Sequence, residues 1–295
     1  MFALVVALFG LALGSPAAIA QDGTPPAGAP PNLTFAEPPD YPELTIMLTS
    51  EGYQVPAEVE AGRLLLTFEN QTDMEFADAQ LMAVPEGISL DEIKEVLANP
   101  DAAPAWLYDA VFPGGAPALA GGTGQAIVDL TPGEYVVTST DPSLTEVAGL
   151  QPFTVVEGED PAAADAPPAD VTVTMIDFAI ELPQGISAGP QVWEVTHEGD
   201  HPHFRSMMQS PEPITDEQIQ AILSAEMAGE APPADGPNPE EFMPVSYVPV
   251  LSTGETTWIP LDLSPGYYVV ACFVPTQTGD PHAMLGMVTS FEVAA

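Results

Sequence analysis

Basic residues are almost absent from this chain of 295 residues. Only Arg63, Lys94 and Arg205 stand against 43 acidic side chains, for a formal net charge of −40. A surface this negative repels the phosphates of nucleic acids and of anionic lipid headgroups, which excludes the polyanion-binding classes. The same charge favours solubility and suits a saline or acidic exterior, where screening or protonation relieves self-repulsion. Cysteine is scarcer still. Cys272 is alone, so no internal disulfide can form, and its thiol is free, bridged to another molecule or bound to a metal. Histidine occurs four times, and never before His197. The apolar run Phe2 to Leu13 is too short to span a bilayer comfortably.

That run has the form of a secretory signal. It is followed by small residues, with Ala18 and Ala20 flanking Ile19 just before Gln21, although the usual basic residues ahead of the run are missing. Residues 1–20 are therefore read as a signal peptide and 21–37, which include TPPAGAPP, as a flexible linker. The mature chain is expected outside the cytoplasm, secreted or periplasmic or at the cell surface, with no integral membrane span. A hydrophobic content of 46% argues against disorder despite the acidity.

The chain repeats itself. LTPGEYVVTS at Leu130–Ser139 returns as LSPGYYVVAC at Leu263–Cys272. ISLDEIKEVL at Ile88–Leu97 returns as ITDEQIQAIL at Ile214–Leu223, and Thr45–Gly62 is echoed by Thr172–Gly189. Three echoes in the same order define a tandem duplication. The first unit covers 38–156 and the second 171–295, separated by an acidic Pro/Ala linker at 157–170 expected to stay extended and solvated. Each unit reads as short strands bounded by Gly and Pro, the pattern of an antiparallel sandwich. The last strand is expected from Leu285 to Val293. One helix is inserted in each unit, opened by the capping-box pairs Ser89/Glu92 and Thr215/Gln218. Met207, Met208, Trp193 and Trp258 are expected in the core.

The second unit holds His197, His201, His203, His282 and Cys272, the metal-competent residues that the first unit lacks. They fall at two points, GDHPHF after one strand and CFVPTQTGDPHAMLGM after another. A thiolate and two imidazoles make a trigonal site suited to copper, and a weak axial thioether completes it and tunes the potential. Asp200 and Asp280 flank these segments, where they would lower the copper potential, dock a cationic partner or simply face solvent.

These residues resemble the cupredoxins, the blue copper proteins of the plastocyanin and azurin kind. The resemblance is carried by the Pro-His pair after a Gly-containing turn (Gly199 to His203), the strand ending Tyr268 to Cys272, and Pro281, His282 and Met287. It covers the second unit and, in degenerate form, the first. It implies a mainly β fold of two tandem Greek-key sandwiches, and one type 1 copper ion held by His203, Cys272, His282 and Met287. His201 rivals His203, which the preceding Pro and following Phe favour. Met284 rivals Met287, which the four-residue gap from His282 favours. The nine-residue gap between Cys272 and His282 is longer than in small members of the family. By the repeat, Ser139 stands at the place of Cys272, Phe76 at that of His203 and Asn70 at that of His197, so the first unit keeps the scaffold without the site. His197 is expected to brace the loop.

The resemblance further implies single-electron transfer through an exposed imidazole edge of His282, with a redox partner carrying a basic surface. A non-redox cupredoxin, storing or scavenging copper or serving as a ligand-binding or adhesion module, is the alternative. The tandem arrangement is also similar to two-domain laccases and nitrite reductases. Those enzymes need further histidines for additional copper, and the four here leave too few, so no enzymatic activity is expected.

Overall fold

The computed structural model describes residues 33–294 apart from 99–103, 142, 143, 146, 147, 159 and 235. The segment read as a signal peptide and most of the linker after it lie outside the described residues. The first half contains β1 (Glu43–Thr49), β2 (Gly52–Gln54), β3 (Glu58–Glu60), β4 (Gly62–Asn70), β5 (Phe76–Ala83), β6 (Gly114–Leu119), β7 (Thr123–Leu130), β8 (Gly133–Thr138) and β9 (Gln151–Val156). The second contains β10 (Val171–Ile176), β11 (Ala179–Glu181), β12 (Gly189–His197), β13 (His203–Ser210), β14 (Met243–Leu251), β15 (Thr256–Leu263), β16 (Gly266–Ala271) and β17 (Val288–Val293). Their helices are α1 (Leu90–Ala98), the short α2 (Ala105–Tyr108) and α3 (Asp216–Met227). The fold is mainly β.

Each half is a two-layer sandwich, and the two share one layer. The order β11-β10-β12-β15-β7-β4-β1-β2 runs through both halves, joined where Trp258 of β15 pairs with Ile127 of β7. The facing layers are β3-β9-β8-β5-β6 in the first half and β14-β13-β16-β17 in the second. The sandwich is not purely antiparallel, as the sequence suggested. β1 runs parallel to β4, β10 to β12 and β3 to β9. The cause in the first half is a crossover: β3 visits the opposite layer before β4 returns beside β1, so the two point the same way.

Alternation along the strands explains the core. In β10, Val171, Val173 and Met175 are buried while the threonines between them are not. Trp193, Phe68, Leu44 and Ile46 are completely buried, and each such side chain stabilises the fold by about 1.5–3 kcal/mol. Met207, Met208 and Trp258 are buried as well. The chain enters the core earlier than the repeat suggested: Leu33 and Phe35, in the stretch read as linker, are buried, Phe35 among Leu65, Ile127 and Trp258. The acidic segment between the halves is also held. Its Ala164 carbonyl accepts from Arg63 Nη1 at 3.2 Å and its Asp165 carbonyl from the Tyr41 hydroxyl at 2.7 Å.

Between the facing edge strands β6 and β14, where a single backbone bridge joins Pro113 to Leu251 among the described residues, side chains add to the pairing. Gln80, itself buried, donates to the Val250 carbonyl at 3.1 Å and accepts from its N–H at 2.5 Å. The Ser252 hydroxyl likewise accepts from Phe112 N–H and donates to the Ala110 carbonyl. Both expected capping boxes form, Ser89 with Glu92 and Thr215 with Gln218. The short α2 adds a second helix to the first half. The last strand begins at Val288 rather than Leu285, because His282–Leu285 wind into a 3-10 turn that ends on Gly286 at φ 110°. Glycine adopts that left-handed conformation without steric cost.

Candidate metal centre

Chain geometry brings the residues together before any metal does. β12 ends on His197, the chain turns through Gly199, and β13 leaves with His203 as its first residue. β16 delivers Cys272 one residue past its end. The long loop then folds back, with His282 N–H donating to the Val274 carbonyl at 2.9 Å and Ala283 N–H to the Cys272 carbonyl at 2.7 Å. Cys272 N–H in turn donates to the Met287 carbonyl at 3.1 Å, which knits the loop's end to its beginning. The inserted helix braces the same loop, with Gln220 Nε2 donating to the Ala283 carbonyl, and the strand after it, with the Asp216 carboxylate accepting from Ser290 N–H and its hydroxyl on β17.

His203 Nδ1 lies 2.9 Å from His282 Nδ1, and Cys272 Sγ lies 3.7 and 3.6 Å from those two nitrogens. All three residues are completely buried. The three atoms lie on a circle of about 2 Å radius, against first-row metal bonds of about 2.0–2.3 Å to imidazole nitrogen and thiolate sulfur. Sequence reasoning put these three residues at one point, and the structure brings them there. Met287, the fourth, is buried beside Cys272. His201 is not in the cluster. Its ring is partly exposed, with Nδ1 3.3 Å from Asp177 Oδ2.

Charges and protons at the cluster match a cation's needs. Burial pulls His203 down to about 3, with His197 and His282 adding to it, and pulls His282 down to about 4, helped by His201. Both imidazoles are thus neutral near pH 7 and can present lone pairs. Burial pushes the Cys272 thiol up to about 12, against the pull of the Val274 and Phe204 backbone N–H groups. Without a cation the sulfur stays protonated, and a coordinating metal is what would deprotonate it. Two neutral imidazoles and a sulfur already surrounded by N–H donors fit type 1 copper.

Asp177, which sequence reasoning missed, orients the first imidazole. It sits at the tip of the β10–β11 hairpin with Oδ1 3.2 Å from His203 Nε2, so that Nε2 carries the proton and Nδ1 faces the cluster. The carboxylate also accepts from the backbone N–H groups of Asp200 and His201 at 3.0 and 3.1 Å. Burial opposes its ionisation, but those N–H groups and the His201 ring overcome it and hold the acid at about 2. Gly199 makes room: a Cβ there would meet Asp177 Oδ1 at 2.5 Å and His203 Nε2 at 3.1 Å. A cue existed in the repeat, which sets Asp177 against Ser50.

His197 braces the turn as expected. Its Nε2 lies 2.5 Å from the His201 carbonyl and its ring stacks on His203 at 4.6 Å. Asn70, its counterpart in the first half, donates to the Met74 carbonyl at 2.9 Å. Ser139, at the place of Cys272, donates to the buried carboxylate of Asp78. The expected exposed edge of His282 is not found, since this ring is completely buried. Phe178 packs edge-on against it at 5.2 Å and His201 at 5.9 Å. Phe178 takes φ 61° at the hairpin tip, a conformation costly for a bulky residue. Asp280 spends itself on its own loop, its carboxylate accepting from Thr278 and its N–H meeting Thr276.

No protein-family model matches the chain, and no curated protein matches it. Among solved structures it is similar to auracyanin B, at 18% identity and TM-score 0.29, covering 44% of this chain and 94% of that one. A reduced auracyanin from the photosynthetic bacterium Roseiflexus castenholzii matches at 19% and 0.28, covering 42% and 95%. A copper nitrite reductase from Nitrosomonas europaea matches at 9% and 0.24, covering 85% and 93%. At these scores the likenesses carry no weight beyond themselves, and the metal centre stands on its own atoms.

Proposed function

We propose that the chain is an extracytoplasmic copper protein that passes single electrons through a type 1 copper that His203, Cys272 and His282 would hold, with Met287 as a weaker fourth partner. The observation that carries this reading is the convergence of two imidazole Nδ1 atoms and one thiol sulfur within 3.7 Å of one another in a fully buried cluster. Bound copper would supply a one-electron couple. The chain supplies the rest. Asp177 keeps the proton of His203 on Nε2, N–H groups of Val274 and Phe204 face the sulfur, and the loop's own hydrogen bonds fix His282 and Met287. A site this tightly braced changes little between oxidation states, which speeds electron exchange.

The remaining histidines are spoken for, His197 by the His201 carbonyl and His201 by Asp177. That favours a carrier over an oxidase with further copper. The charge of −40 favours a redox partner with a basic surface. Among the described residues no helix is long and apolar enough to cross a membrane. The extracytoplasmic placement draws on the N-terminal signal-like run.

One observation favours a second reading, copper holding without redox work: Phe178 and His201 cover His282, the ring expected to meet a partner. Addition of Cu(II) to the metal-free protein tests both. An intense visible charge-transfer band that saturates at one equivalent and bleaches reversibly with a one-electron reductant supports the carrier. Tight copper binding without reversible bleaching supports the second reading.

A further inference from the structure

Arg205 is completely buried in the core of the second half, two residues along β13 from His203. Its Nη2 donates to the Ser246 hydroxyl at 3.1 Å, while Nε and Nη1 find no hydrogen-bond partner among the described residues. Among those residues no carboxylate pairs with it; its guanidinium instead lies 5.5 Å from the ring of Trp193, on β12. Arginine keeps its charge under nearly all conditions. Burying a cation without a counter-ion is costly, and an apolar side chain of similar size would be the stable choice for a core built only to pack.

Its place explains the cost. His203 stacks on His197 of β12, and Arg205 reaches Trp193 of the same strand, so both side chains point into the space between the layers. Two residues of a strand span about 7 Å at the backbone, and Trp193 lies four residues, about 13 Å, along β12 from His197, so the guanidinium sits on the order of 10 Å from the metal cluster. The first half gives the comparison. By the repeat, Asp78 holds the position of Arg205. That buried carboxylate accepts from Ser139, at the place of Cys272, and from Thr140. The position carries an ionisable side chain in both halves, and it is the basic one in the half that has the thiol.

We propose that Arg205 is a fixed counter-charge that raises the reduction potential of copper held by His203, Cys272 and His282. The inference rests on the type 1 reading above. With a thiolate ligand, Cu(II) leaves the centre with one net positive charge. A single electron from an external one-electron donor gives Cu(I) and a neutral centre, and no proton need move. A neighbouring cation repels the oxidised centre and spares the reduced one. At about 10 Å and an effective dielectric near 20, the effect on the ratio of Cu(I) to Cu(II) affinity is on the order of tenfold, equivalent to about 59 mV for one electron.

The test is a spectroelectrochemical titration of the full copper-loaded protein, as wild type, Arg205→Met, Arg205→Gln and the exposed-charge control Lys94→Gln. We expect both Arg205 variants to keep the charge-transfer band while their affinity ratio falls about tenfold, and the Lys94 variant to match wild type. Metal-free Arg205→Met should also resist denaturation better than wild type, because the unpaired charge is gone. Unchanged potentials in both Arg205 variants, a fall in only one of them, or an equal fall in Lys94→Gln overturns the role of Arg205 and leaves the copper site standing. A wild type that shows no band overturns the copper reading and this inference together.

Discussion

His203 and His282 face each other through like atoms, Nδ1 to Nδ1 at 2.9 Å. The Nε2 proton of His203 is committed to Asp177, so its Nδ1 carries a lone pair. A hydrogen bond between the rings therefore needs the proton on His282 Nδ1. A cation satisfies both lone pairs at once and adds the sulfur of Cys272. Nε2 of His282 is buried without a partner among the described residues, and it is the nitrogen that takes the ring's proton once Nδ1 faces a cation.

Asp177 is a positioning residue, and its loss should show in affinity before it shows in colour. Asp177→Asn should weaken copper binding by about 10- to 100-fold, the usual effect of removing a carboxylate that orients a ligating histidine. The charge-transfer band should persist at saturating copper. Competition with a chelator of known affinity measures it. Gly199→Ala should act in the same direction, by pushing Asp177 Oδ1 away from His203.

Phe178 covers the ring through which electrons would otherwise leave. Phe178→Ala should raise the rate of electron exchange with small inorganic complexes severalfold, and should make Cys272 of the metal-free protein easier to alkylate. Stopped-flow kinetics and a timed thiol assay follow the two effects. Equal rates in the variant and wild type would show that the cover does not limit access.

Gln80 ties the halves together where backbone pairing is down to a single bridge. Gln80→Ala leaves the Val250 N–H and carbonyl without their side-chain partners, and should destabilise the protein by about 2–4 kcal/mol. Denaturation followed by intrinsic fluorescence should then separate into two transitions, one for each sandwich.

Glu255, whose carbonyl accepts from His197 N–H, sets a pH dependence of its own. Burial, with a contribution from Asp129, raises it from 4.5 to about 7, so the folded state prefers the protonated acid. Its contribution to stability is complete below pH 4.5 and is lost as pH rises through 7. Glu255→Gln should flatten the stability profile between pH 4.5 and 7 and stabilise the protein at pH 8 by roughly 1–3 kcal/mol, with allowance for its partial exposure. Thermal denaturation across that range checks the sign.

Much of this was legible in the sequence because it is local or repeated. Cys272, His282 and Met287 share one loop, and Gly-bounded runs such as Tyr267 to Val270 mark their own strands. The repeat also exposed Ser139, Phe76 and Asn70 as the places where the first half has no site. What stayed hidden depends on long-range folding. Asp177 and Phe178 lie on a hairpin whose approach to His203 and His282 no local pattern encodes. The parallel pairs arise from crossovers between layers. The shared eight-stranded sheet depends on a meeting of Trp258 with Ile127, two apolar residues among many. The burial of Arg205 contradicts what its residue type suggests, and composition alone would have set it on the surface.

X-ray absorption at the copper edge of the loaded protein tests the central claim most directly. The account predicts one short sulfur scatterer and two imidazole nitrogens about copper, with the sulfur gone and the nitrogens kept in Cys272→Ser. Copper surrounded only by nitrogen and oxygen in the wild type, or a spectrum untouched by that substitution, would contradict it.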